Sequence, residues 1–351
     1  MTDGSVGGSA PSHEKRLSAA LFRWATGDSR AVAGRVMLCG TLEAFHGIAS
    51  RGNAADVYLV PSGHSRLPDG VDHGQVLTFD GRFDEPGDVI HIGNGYEIEL
   101  KDYVALPFMP VTRPTIVACT TSTAWRALIE DAEEALAHGV FIPQLASPAT
   151  VLSDRVVLDA AIEGTSVGID RLTIADPGSV RYRLGGAVAG TVATADLRDQ
   201  SASVVLESDG EPSGSGLDLE KQLAARPWIR QYLTALRVAG GKDGGTWKIS
   251  GFGDRLTASE GGPGARTSAH LIIWRGDEYR LVAESGRRFL LDRESAVAVD
   301  SLLRSSSRRE AIDAAREAGL LRSNLEAELD HLCRRLAAVG VVLEPSEGEE
   351  P

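Results

Sequence analysis

The sequence predicts an α+β or α/β protein made of a β-rich N-terminal domain and a small C-terminal module of three strands followed by three helices. Three observations carry this. Short β-rich runs punctuated by Gly, Pro and Asp fill residues 32–121, a glycine-rich stretch at Glu260-Gly-Gly-Pro-Gly264 separates two regions, and a regular strand-then-helix pattern starts at Ala269.

In the first region the expected strands are Arg35 to Cys39, Asp56 to Val60, Gln75 to Phe79 and Pro114 to Cys119. Ser122 or Thr123 can then cap a helix in which Trp125, Leu128, Ile129, Ala132 and Leu136 recur at helical spacing up to Gly139. Further strands are expected at Val156 to Leu158, Arg171 to Ile174, Val180 to Leu184 and Ser203 to Leu206. Ser208 to Gly216 reads as a flexible loop, and two helical pieces flank Pro227. No internal repeat of fixed period is evident.

The C-terminal elements are more regular. His270 to Trp274 and Tyr279 to Ala283 are strands joined at Gly276-Asp277, and a turn at Ser285-Gly286 leads to a third strand, Arg288 to Leu291. Asp292 caps a first helix carrying Ala296, Val299, Leu302 and Leu303. Ser307 with Glu310, and Ser323 with Glu326, are capping boxes that start two more, the last with Leu325, Leu329, Leu332, Cys333, Leu336 and Val339 on one stripe before Gly340. The expected organisation is a disordered segment 1–14, an α/β or α+β domain 15–263, a module 264–344 able to fold alone, and an acidic tail 345–351.

Composition limits the function. With 351 residues, 42% hydrophobic and 24% charged, the chain has the makeup of a soluble globular protein. Its 36 basic and 49 acidic residues give a net charge of −13, which repels phosphate backbones. No run is long enough to span a bilayer and the first residues lack a signal-peptide core, so a cytoplasmic protein without a membrane partner is expected. Cys39, Cys119 and Cys333 stand far apart among apolar residues and read as reduced packing cysteines.

The strand Arg288-Phe-Leu-Leu291, the helix from Arg293 to Leu303, and the final Leu325 to Val342 segment with its Gly-Val-Val ending resemble the PqqD-like winged helix known as a RiPP recognition element. These modules bind the leader of ribosomally synthesised, post-translationally modified peptides. Together with the β-rich first region and the segment His138 to Pro148, the chain is similar to the actinobacterial recognition proteins of daptide-type clusters. The resemblance implies a non-catalytic protein that binds a precursor leader peptide and presents the core to tailoring enzymes such as an oxidoreductase, aminotransferase or methyltransferase. The winged-helix match covers about a fifth of the chain and gives the N-terminal domain no role.

Such a module binds peptide because an edge strand leaves backbone N–H and C=O groups for an extended segment to pair with. The expected site is Arg287, Arg288, Phe289, Leu290 and Leu291 on the strand, with Leu325, Glu328, Leu329, Leu332, Arg335 and Leu336 on the facing helix. The arginines would attract acidic leader residues.

Catalytic and cofactor motifs fail on context. Gly164-Thr-Ser-Val-Gly168 matches G-x-S-x-G, but a strand-like run follows where a helix is required, which leaves Ser166 without a role. Gly185 to Gly190 and Gly240 to Lys248 lack nucleotide-binding spacings, and His46, His64, His73 and His91 lack metal-ligand spacing. No cofactor, metal or enzymatic activity is expected.

Two alternatives remain: a winged-helix transcription regulator, and an enzyme with a scattered N-terminal site. Residues 265–345 hold 13 Arg and 13 Asp or Glu, and the last helix opens with Glu326, Glu328 and Asp330, where a DNA reader would be basic. Peptide recognition is the expected function.

Overall fold

The computed structural model describes residues 12–27, 34–50, 57–63, 72, 75–92, 95–163, 167–168, 171–181, 184, 186, 188, 190–193, 201–202, 219–240, 247–257, 268–320 and 324–343. Its first half runs α1 (His13–Thr26), β1 (Val36–Cys39), α2 (Leu42–Ala49), β2 (Val57–Pro61), β3 (Val76–Gly81), β4 (Val89–Ile92), β5 (Tyr96–Asp102), β6 (Thr115–Ala118), α3 (Ser122–His138), α4 (Pro143–Ala146), β7 (Thr150–Leu152) and α5 (Arg155–Glu163). There follow β8 (Val167–Gly168), β9 (Arg171–Asp176), β10 (Ser179–Arg181), β11 (Ser201–Ala202), α6 (Leu219–Ala224), α7 (Ile229–Ala239), β12 (Lys248–Ser250) and β13 (Gly253–Asp254). The last part is β14 (Leu271–Arg275), β15 (Glu278–Val282), β16 (Arg288–Leu291), α8 (Arg293–Arg304), α9 (Arg308–Glu317) and α10 (Leu325–Ala337).

A mixed nine-stranded sheet has the order β10-β9-β1-β2-β3-β4-β5-β6-β7. Strands β9, β1, β2 and β3 are parallel, as are β5, β6 and β7, and β4 joins the two halves antiparallel. Both faces are covered, as parallel strands require. Val36, Leu38, Ile116 and Ala118 face a core under Leu17, Leu21 and Trp24 of α1. The alternate residues Met37 and Cys39 face Phe45 and Ile48 of α2, whereas Val117 and Cys119 face Trp125 and Leu128 of α3.

Two strand–helix units thus recur eighty residues apart. Thr41 and Thr121 each accept a hydrogen bond from the N–H three residues on, Ala44 and Ala124, and each follows a strand that carries a buried cysteine nearby. Low identity hides this from a search for a fixed period. The cap of α3 is Thr121, not Ser122 or Thr123, because Thr121 still has extended backbone and its hydroxyl reaches the helix N–H.

Other expectations are corrected. Residues 13 and 14 begin α1, capped by Ser12, instead of belonging to a disordered segment. Val156 to Leu158 lies inside α5, where Leu158 and Ile162 face the core four residues apart, a spacing that a three-residue apolar run could not reveal. The expected strand at 203–206, the loop at 208–216, the glycine stretch at 260–264 and the tail 345–351 lie outside the described residues.

The second large sheet has the order β13-β12-β14-β15-β16 and is wider than the three strands expected. Strand β12 pairs antiparallel with β14, so residues before the expected boundary at 264 belong to the same sheet as those after it. Asp300 and Arg304 of α8 reinforce the join. The Arg304 guanidinium donates to Asp300 at 3.0 Å and to the Ser250 hydroxyl at 3.2 Å, and Thr257 donates to Asp300 at 3.3 Å.

This sheet is apolar on both faces. Ile272 and Leu281 pack on α8, α9 and α10, while Ile249, Leu271, Ile273 and Val282 pack against the α3 and α7 core. At the end of α3 the Gly139 backbone lies so close to the Phe252–Gly253 turn that a Cβ on Gly253 would stand 2.6 Å from the Gly139 nitrogen. Both glycines have positive φ, which they alone adopt without strain.

The local chemistry of the last elements follows the sequence, with changes at the caps. Gly276, at φ 58, begins a two-residue turn between β14 and β15. Asp292 caps α8 and Ser307 caps α9. The Ser307 hydroxyl accepts from the Glu310 N–H at 3.2 Å, and the Glu310 carboxylate accepts from the backbone and hydroxyl of Ser306. Residue 323 lies outside the described residues, and Asn324 holds the cap position of α10 without a side-chain cap bond.

A fragment starting at residue 264 lacks β12 and bares Leu271, Ile273 and Val282. It is expected to melt without a cooperative transition, and a sharp melt by circular dichroism would contradict the shared core.

Candidate functional site

Strand β16 pairs with β15 and ends the sheet. The Ala283 N–H donates to the Arg287 carbonyl at 2.9 Å, and the register places Phe289 and Leu291 at the other paired positions. By the alternation of an antiparallel ladder, the backbone groups of Arg288 and Leu290 point away from β15. Their side chains are exposed, Leu290 to 74%. Phe289 and Leu291, on the other face, are half-buried against the helix core.

Helix α10 lies beside this edge and runs against it. At one end the Arg287 guanidinium donates to the Val339 carbonyl at 2.8 Å and stacks 5.0 Å from the Phe289 ring. Gly340 then closes the helix, with the Val341 N–H donating to the Leu336 carbonyl at 2.9 Å. At the other end a cavity of about 420 Å³ opens between the start of α8 and α10, lined by Asp292, Glu294, Leu325, Glu328, Leu332 and Arg335 among others.

The expected site residues therefore divide. Leu290 and Arg288 face outward on the strand, and Leu332, Glu328 and Arg335 line the cavity. Leu325 and Leu329 form its floor but are 3% and 1% exposed, and Leu336 is 6% exposed and does not line it. These three are core residues, because the stripe that faces the groove is also the stripe that holds α10 to the domain. Arg287 is exposed and ties the start of β16 to the end of α10 through the Val339 carbonyl.

A second, larger cavity of about 770 Å³ lies between the two sheets. It gathers the end of α1, the α4 to β7 segment, α5, α7 and the β15–β16 turn, which is why no local motif announces it. An ion-pair chain runs along its wall, with Arg230 behind the lining residues. The Arg230 guanidinium meets Asp159 at 3.5 Å and Glu284 at 2.8 Å, Arg155 meets Asp159 at 3.8 Å, and Arg237 donates to the Glu284 carbonyl at 2.9 Å. His270 Nδ1 accepts from the Glu284 N–H at 3.1 Å.

Burial holds the His270 imidazole below its ordinary value of 6.5, and the nearby Arg230 charge adds to this. Glu284 and the Val342 backbone oppose the shift.

Chemical candidates elsewhere are closed. Tyr103 donates to Asp131 at 2.9 Å beside Tyr232, but the two tyrosines are 1% and 0% exposed. Burial raises both hydroxyls, Tyr232 to an extent that keeps it protonated, and burial likewise raises the Asp131 carboxyl. Burial pushes the Cys39 thiol up to about 12, where it is no nucleophile. Among the described residues no group of His, Cys, Asp or Glu is placed to hold a metal ion, and no helix is long and apolar enough to cross a membrane. Ser166 lies outside the described residues.

Compared with protein-family models, curated proteins and solved structures, the chain matches none.

One consequence is a pH response. The folded state keeps His270 neutral while the unfolded chain protonates it near 6.5, so its contribution is constant above that value and falls as the pH drops below it. Thermal melts between about pH 8 and pH 5 should fall less steeply for His270→Asn, whose amide oxygen can accept the Glu284 N–H. An unchanged slope would show that His270 does not carry the effect.

Proposed function

We propose that the chain is a non-catalytic peptide-recognition protein of RiPP biosynthesis, which holds the leader of a precursor peptide along β16 and presents the rest to tailoring enzymes. The observation that carries this reading is the sheet edge itself. Strand β16 turns the backbone of Arg288 and Leu290 outward beside a leucine-floored cavity, the arrangement that β-strand addition requires. The order of three strands, β14 to β16, then three helices resembles the PqqD-like winged helix, with β12 and β13 as additions to its sheet.

Backbone pairing supplies affinity without regard to sequence, and the cavity beyond Asp292 supplies selection. Its leucine floor favours an apolar leader side chain, with Glu328 and Arg335 at the walls to orient polar neighbours. A DNA-binding role is disfavoured by Glu326 and Glu328, exposed in the first turn of α10 where a recognition helix would approach phosphates. Oxidoreductase, aminotransferase or methyltransferase partners follow from the daptide resemblance, and the proposed working compartment is the cytoplasm.

The test uses random peptides of about 20 residues, displayed and selected on the full chain, then labelled for fluorescence anisotropy. Leu290→Asp puts a charge at the strand edge and should abolish binding, while its unfolding free energy stays within the range of a surface change, about 0.5 kcal/mol. Leu329→Ala, in the core, should instead cost about 2–5 kcal/mol of stability. A folded Leu290→Asp protein that binds like the parent removes the peptide from β16.

A further inference from the structure

Leu290 is 74% exposed although it stands inside a strand. Its side chain lies on the face of the sheet away from α10, since the register puts it in line with Arg280 and Ile273, and Ile273 packs against the α3 and α7 core. Its neighbours Phe289 and Leu291 lie on the α10 face.

The structure shows why this leucine stays bare. Arg280 stands directly across from it in a pair without mutual backbone bonds, where side chains come closest. An arginine stem is long enough to lie along the leucine and shield it. Instead the Arg280 guanidinium reaches the other way, to 4.8 Å from the centre of the Trp247 ring just before β12, and pairs with Glu278. Arg275 stacks on the same indole at 4.8 Å. The side chain nearest to Leu290 is thus drawn away across the sheet.

The Leu290 N–H and C=O also point away from β15, so one residue presents both an uncovered leucine and outward backbone groups. A strand that adds to this edge pairs one residue directly with Leu290, and that residue's side chain falls beside the leucine on the same face. The residues before and after it fall on the other face, beside the half-buried Phe289 and Leu291.

We infer that the edge reads three consecutive apolar residues of the bound peptide, the middle one packing on Leu290 on the face away from α10. This rests on the proposed placement of the peptide along β16. A strand with one face in water alternates apolar and polar residues, whereas one that meets apolar side chains on both faces is a continuous apolar run. The middle residue carries no charge, because a charge against Leu290 loses water without gaining a partner while Arg280 is engaged by Trp247 and Glu278. A second copy of the chain is the other possible occupant of a bare edge. Only four residues of edge and a net charge of −13 on each chain argue against it.

Peptides selected on the full chain are the probes. Each should contain three consecutive apolar residues. Ala at the middle one should weaken binding about fivefold in the parent but not in Leu290→Ala, since the two changes remove the same contact. Binding lost in Leu290→Asp should return, by about tenfold or more, when Lys replaces that middle residue and at no other position. Hydrogen exchange of the Leu290 amide reports the pairing at β16 separately and needs no variant: bound peptide should slow it.

A slowed Leu290 amide, with equal binding by the parent and Leu290→Ala and no position at which Lys restores binding to Leu290→Asp, overturns the two-faced reading and leaves the peptide on β16. An amide that the peptide does not slow removes the peptide from β16 and this reading with it. A peptide-free protein that sediments as a dimer, and as a monomer in Leu290→Asp, puts a second copy on the edge instead. A selection that yields no binder contradicts both readings.

Discussion

The whole arrangement depends on a sheet that is apolar on both faces. In β14 successive residues Leu271, Ile272 and Ile273 are buried in turn on opposite sides, and β15 does the same with Leu281 and Val282. Such a sheet is stable only between two layers, because baring either face to water forfeits roughly 25 cal/mol for each Å² of apolar surface. One layer is α8 to α10. The other is α3 and α7, whose opposite sides cover the nine-stranded sheet. The chain is therefore a stack in which the proposed recognition module and the N-terminal domain share a core.

That constraint fixes where the free edges fall. With both faces covered, the sheets can meet a partner only at their ends, and β16 and β7 are ends. The ion-pair chain from Asp159 through Arg230 to Glu284 holds the β15–β16 turn against α5 and α7, and Arg287 holds the start of β16 to the end of α10. The pairs crossing between layers are half-buried or buried, where a partner's removal costs more than a surface pair is worth. They act to position the edge.

Much of the local structure was legible because its causes are local. Gly276-Asp277 makes a turn, Asp292 and Ser307 cap helices, and Arg288 to Leu291 is a strand of those bounds. What escaped was the partnership of faces. The run Leu271 to Trp274 does not alternate between apolar and polar, which in a strand signals burial on both sides, but nothing in the run names the layer that covers the second face. The stripe of α10 fixed which face is apolar without saying that Leu325, Leu329 and Leu336 are consumed by the core. The large cavity was invisible because its walls come from six separate segments, and β7, three residues long, gives no periodic signal.

Native-state hydrogen exchange under mild denaturant tests the shared core most directly. If the stack is one cooperative unit, amides of β6 and of β14 should open with the same free energy, and Tyr232→Ala in α7 should lower both by the same amount. If β14 to β16 and α8 to α10 instead exchange with their own free energy, unmoved by that change, the recognition module is independent and the account of its two-sided sheet is wrong.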